Sequence, residues 1–141
     1  MSLIVRKITS ILAGLVFLYG IYIVLHGHLT PGGGFAGGVI IAGSFILLLI
    51  GFGSDEGGEK RGFAIGSIFE GVGALFFIMI ALVGLALGSF FFKNVLGAGT
   101  PLKLSSAGTI PLANIAISIK VGAGLFSIFL AFAATRYLME E

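Results

Sequence analysis

Charged residues are spaced so that four long apolar runs separate them. Residues 8–25 and 35–53 contain none, residues 62–92 contain only Glu70, and residues 112–135 contain only Lys120. A helix of about 20 apolar residues crosses a hydrocarbon core ~30 Å thick. The pattern therefore predicts an all-α integral membrane protein with four transmembrane helices, at about 5–26, 34–53, 64–90 and 112–136, forming a single four-helix transmembrane domain over 1–141. A closed barrel also crosses membranes, but its strands alternate apolar and polar side chains over ~10 residues. Phe45-Ile46-Leu47-Leu48-Leu49-Ile50 does not alternate. The first run is longer than the apolar part of a signal peptide, about 7–15 residues, and no small-residue cleavage pattern closes it. It is read as a retained span.

Four spans put both termini on one side of the membrane. That side holds Arg6, Lys7, Lys60, Arg61 and Arg136; the other holds Lys93 and Lys103. Cytoplasmic loops carry the excess of Lys and Arg. Both termini are thus predicted to be cytoplasmic, and the chain to be a multi-pass protein of the cell membrane. The connections are predicted as a tight outer turn at 26–34, a short charged inner loop at 54–61 and a long outer loop at 93–111, rich in Gly, Ser and Thr.

Composition narrows the function classes. Hydrophobic residues make up 57% of the 141, and only 8 basic and 6 acidic residues are present, too few charges to cover a soluble surface. The absence of cysteine excludes a disulfide scaffold, a thiol enzyme and an iron–sulfur protein. The basic residues are scattered, which argues against nucleic acid as a partner. Glycine is abundant, at 24 residues, and recurs in small-xxx-small pairs: Ser10/Gly14, Gly34/Gly38, Gly62/Gly66, Gly84/Gly88 and Ser118/Gly122. Helices in lipid associate by close packing at such residues. Small residues on all four helices point to one component of a larger membrane complex, with lipid and other subunits as neighbours.

Candidate chemistry is sparse. Lys120 is forced into the membrane, because the 15 residues before Arg136 cannot span alone. Helix rise puts it about 24 Å from Arg136 and roughly 13 Å from Pro111. A charge at mid-membrane costs on the order of 2.5–3.5 kcal/mol, so such a residue faces an interior, a cavity or a partner, or else snorkels outward along its stem. Glu70 stands either about 12 Å deep or at the inner interface, according to where its helix begins. Taken helix by helix, the two charges differ in depth by about 5–10 Å, so direct pairing requires both side chains to reach toward the middle; a water-linked relay or charged partners on other subunits fit equally. Chains of acids, lysines and histidines move protons in transport proteins. His26 and His28 lie in the outer turn, as proton-handling groups or as polar residues capping a helix end. They have no nearby carboxylate or cysteine that would complete a metal site, and no residue set suggests a cofactor. No nucleophile, base and acid converge, so the chain by itself is read as non-catalytic.

The segment Thr30-Pro31-Gly32-Gly33-Gly34-Phe35-Ala36-Gly37-Gly38 is the most distinctive. Gly32-x-Gly34-x-x-Gly37 matches a dinucleotide fingerprint in form, but that motif follows a strand in a βαβ unit, and here an apolar helix precedes it. Pro31 disfavours helix at the residue before it, and the glycines permit positive φ and close backbone contact. A glycine-rich re-entrant turn packed against a neighbouring subunit is the expectation, with Pro31, Gly32, Gly33, Gly34, Gly37 and Gly38 as its structural residues.

With His26-Gly27-His28-Leu29 in front of it, this segment resembles the hallmark of the B-type subunit of Mrp-type multisubunit Na+/H+ antiporters, and of its equivalent in archaeal membrane-bound hydrogenase and sulfane-sulfur reductase complexes. The four-span plan is similar over essentially the whole chain. A second match lies at 114–124, where bacterial members carry an acid before a Val-Gly step and this chain carries Lys120 before Val121-Gly122; the difference points to the archaeal respiratory version. The resemblance implies a subunit of a cation/proton antiporter module, with sodium and protons as transported ions, redox chemistry left to other subunits, and Lys120, Glu70, His26 and His28 on an ion path or proton relay. The alternative is a structural subunit that seals and positions the antiporter subunits.

Overall fold

The computed structural model describes residues 2–53, 56–88, 90–104 and 106–138; Asp55, Glu140 and Glu141 lie outside these, as do the side chains of Glu56 and Arg136. Its elements are α1 (Leu3–Leu25), α2 (Gly33–Phe52), α3 (Glu56–Gly88) and α4 (Ile110–Leu138). All four are long and apolar enough to cross a membrane, with mean hydropathy between 2.1 and 2.4. Ser2 opens α1 by accepting a hydrogen bond from the Val5 amide at 3.4 Å, the usual task of an N-cap hydroxyl.

The connection between α2 and α3 differs from the expected loop. Helix α3 already begins at Glu56 and draws Gly57 and Gly58 into its first turn. A carboxylate such as that of Glu59 near a helix start complements the positive end of the helix dipole, which offsets the cost of two glycines.

Glycines set how the helices meet. Gly51 lies on Thr9, and Gly37 lies on Gly20 and Val24, which makes α1 and α2 antiparallel neighbours. Gly34 lies on Asn114 and Gly38 on Ser118, so α2 and α4 run parallel. Gly62 meets Leu130, Gly66 meets Ser127 and Gly73 meets Lys120, so α3 and α4 run antiparallel. The lateral order is α1, α2, α4, α3; among the described residues α3 touches neither α1 nor α2. Helix α1 also touches α4, to a lesser extent, so α4 lies in the interior of a layer that stays open between α1 and α3.

An open layer buries little. Its core is mostly small (Ala13, Ala42, Ala81 and Ala116, with Ser44 and Ser118), and Leu130 is its largest fully buried side chain. Large apolar residues such as Ile11, Leu18, Phe69, Leu75 and Phe132 point outward. Lipid tails are as apolar as leucine, so this surface suits a bilayer. On one face, α2 and α3 flank a groove of about 600 Å³ over α4, lined by Phe17, Phe45, Ile65, Phe69 and Phe126 among others. Phe45 links its walls, with ring centroids 5.7 Å from Phe17 and 5.9 Å from Phe126.

Candidate functional site

Glu70 and Lys120 form an ion pair: the Lys120 ammonium donates to Glu70 Oε1 at 3.3 Å. Its placement follows from the α3–α4 seam. Gly66 opposes Ser127 and Gly73 opposes Lys120, so Glu70 falls opposite Ala123, three residues or about 4.5 Å from Lys120 along the axis. That is at or below the separation expected from each helix alone, because the register of a seam is not contained in either sequence segment. Gly124 completes the fit. A Cβ there would lie 3.6 Å from the Glu70 carboxylate carbon, in ordinary contact.

The pair sits well inside both helices. Glu70 is about 21 Å from the start of α3 and about 27 Å from its end; Lys120 is about 15 Å from the start of α4 and about 27 Å from its end. Yet the Lys120 side chain is 49% exposed and that of Glu70 is 43% exposed. Phe69 and Ile119 line the groove, and Glu70 and Lys120 follow each about 100° further round its helix. The pair therefore opens on the other face of the layer. Each charge offsets its partner, but bare lipid against that opening remains unfavourable.

The histidines lie in the turn between α1 and α2. His26 ends α1, its backbone N–H bonded to the Tyr22 carbonyl. Its Nδ1 is also 3.0 Å from that carbonyl, a bond that requires a proton on Nδ1, and its ring stacks on Tyr22 at 4.1 Å. His28 Nε2 donates to the Lys103 carbonyl at 3.3 Å and so ties the turn to the α3–α4 loop. Among the described residues, no hydrogen bond or ion pair joins either histidine to Glu70 or Lys120.

The glycine segment serves the turn and the helix contacts. Gly32 and Gly33 have φ of 140° and 71°, values that side-chain-bearing residues avoid. Gly34, Gly37 and Gly38 then admit α4 and α1 at backbone distance. The contacts described for this segment are with its own chain, through a helix that starts at Gly33.

Three residues gain a role that their sequence context did not suggest. Asn114 Oδ1 accepts the Gly34 amide at 3.3 Å and pins α2 to α4; its signal was a polar residue within an apolar run. Glu59, expected in a loop, is 4% exposed on α3. Ser127 is 6% exposed at the α3–α4 seam, against Gly66.

Four apolar helices in one layer, with an ion pair half open at mid-span, define a multi-pass membrane protein. Residues 4–127 match the family described as a domain related to the MnhB subunit of Na+/H+ antiporter, and the chain belongs to that family. It is 34% identical to a Methanocaldococcus jannaschii protein, uncharacterized protein MJ1307, over 86% of this chain and 48% of that one. It is also 34% identical to the putative antiporter subunit mnhB2 of Staphylococcus aureus, over 39% of each chain. Its fold is similar to a chain in the structure of the membrane-bound sulfane sulfur reductase, an archaeal respiratory membrane complex. There the TM-score is 0.75 and the identity 33%, over 93% of this chain and 57% of that one. The chain spans about half the length, or less, of the curated relatives it matches.

Proposed function

We propose that this protein is a membrane subunit of an Mrp-type sodium/proton antiporter module within an archaeal respiratory complex related to complex I, where it lines an ion path at a subunit interface. The observation that carries the reading is the Glu70–Lys120 pair, held at 3.3 Å inside two membrane-length helices and nearly half exposed. A transported ion or proton needs fixed charges at that depth, and a neighbouring subunit is needed to shield them from lipid. The positive-inside bias supports a cytoplasmic side for both termini. His26 and His28 then stand at the outer mouth. The protein itself is non-catalytic, and any redox chemistry belongs to its partners.

The second reading is a scaffold in which the pair is a structural bridge between α3 and α4, and the mutual satisfaction of the two charges favours it. Glu70→Gln and Lys120→Met, each introduced into the parent complex, separate the two. The proposal expects assembled complexes with slowed sodium-dependent proton movement in membrane vesicles. Normal transport from assembled variants overturns it; failure to assemble supports the scaffold.

A further inference from the structure

We propose that the α3–α4 seam is a water-accessible half-path from the inner surface to the ion pair, with Glu59 at its mouth, Leu130 as its gate and Ser127 beyond the gate. The proposal deepens the ion-path reading and rests on it.

Helical spacing aligns the parts. Glu59 and Glu70 are eleven residues apart on α3, three turns, so they share one stripe about 16 Å long. Lys120 and Ser127 are seven residues apart on α4, two turns, and share the stripe that faces α3. The register joins the two stripes, since Gly66 meets Ser127 and Gly73 meets Lys120. From the inner end inward, the seam therefore presents Glu59, Ser127, Glu70 and Lys120.

Glu59 is 4% exposed and borders a cavity of about 280 Å³ with Lys60, Phe63, Leu130 and Ala134. Ser127 behaves differently from three other helical hydroxyls. Ser44, Ser118 and Thr135 each donate to the carbonyl three residues earlier, at 2.7, 2.8 and 2.7 Å. Ser127 Oγ is buried and has no hydrogen-bond partner among the described residues. It is directed at Gly66, where a Cβ would collide with it. Buried hydroxyls almost always find a partner, and one that forgoes its own helix and faces a glycine is suited to transient water. Leu130, 2% exposed and seated on Gly62, closes the seam between the cavity and Ser127.

The chain has no cysteine, so Ser127→Cys supplies its single thiol with little change in shape. In membranes carrying the assembled complex, a membrane-impermeant thiol reagent is added on the Glu59 side and the mass of this chain is read. The expected result is labelling of Ser127→Cys, faster in the Leu130→Ala background, and none at Phe69→Cys on the opposite face. No labelling of Ser127→Cys in either background, or equal labelling at Phe69→Cys, overturns the half-path. Transport separates this from the parent reading: Glu59→Gln is expected to slow sodium-dependent proton movement severalfold, with Glu59→Asp partly restoring it. If Glu70→Gln and Lys120→Met slow transport while Glu59→Gln does not, the half-path is wrong and the role of the pair stands. If all three leave transport intact, the ion-path reading itself falls.

Discussion

Gly73 lies against the backbone of Lys120: a Cβ at Gly73 would come within 2.7 Å of the Lys120 amide nitrogen and 3.0 Å of the Ala116 carbonyl oxygen. This approach lets a lysine on α4 reach a glutamate one turn away on α3. Gly73→Leu is expected to wedge the seam open and to cost about 1–3 kcal/mol, the usual penalty for overpacking. A lower unfolding temperature of the purified protein in detergent measures it. Gly71→Leu is the control, because a Cβ at Gly71 meets nothing within 4 Å.

The turn between α1 and α2 makes a second prediction. Gly33 has φ of 71°, and Gly33→Ala is expected to destabilise by about 1–2 kcal/mol, the cost of left-handed backbone for a residue with a Cβ. Asn114→Ala removes the bond to the Gly34 amide and is expected to cost ~1 kcal/mol. Gly43→Ala, with open space around it, leaves the melting curve where it was. The same unfolding assay in detergent checks all three.

The loop between α3 and α4 gives a third. It is tied down by His28 Nε2 to the Lys103 carbonyl at 3.3 Å, by the Ser106 hydroxyl to the same carbonyl at 2.6 Å, and by the Thr109 amide to Asn94 Oδ1 at 3.1 Å. Loss of one such bond, ~1 kcal/mol, raises the population of the opened loop about fivefold. His28→Ala is therefore expected to speed tryptic cleavage at Lys103 by about that factor, with Asn94→Ala acting in the same direction. Unchanged cleavage in both variants contradicts the tether.

The four helices were legible because lipid demands long uncharged runs, and runs such as 35–53 have no other use. The order α1, α2, α4, α3 was not legible, since a small-xxx-small pair announces a contact without naming its partner. Gly38 does face Ser118 and Gly122 across α2 and α4, with Gly34 on Asn114, whereas Gly84 and Gly88 admit Lys93 of the α3–α4 loop and Gly14 faces open space. Lys120 and Glu70 could be found as charges in apolar runs, but their pairing depends on the Gly66–Ser127 and Gly73–Lys120 register, a property of two helices together. Glu59 was hidden for another reason. Its neighbours Gly57, Gly58, Lys60 and Arg61 read as a loop, and only the helix that forms from Glu56 turns it into a buried residue.

The central claim is that the Glu70–Lys120 pair belongs to the ion path and does more than bridge two helices. Exchanging its members, Glu70→Lys with Lys120→Glu, keeps one acid and one base at the seam and so preserves a bridge, while moving the carboxylate from α3 to α4. Sodium-dependent proton movement in vesicles carrying the assembled double variant is the decisive measurement. An assembled complex with severalfold slower transport is the predicted result; an assembled complex that transports at the parental rate contradicts it.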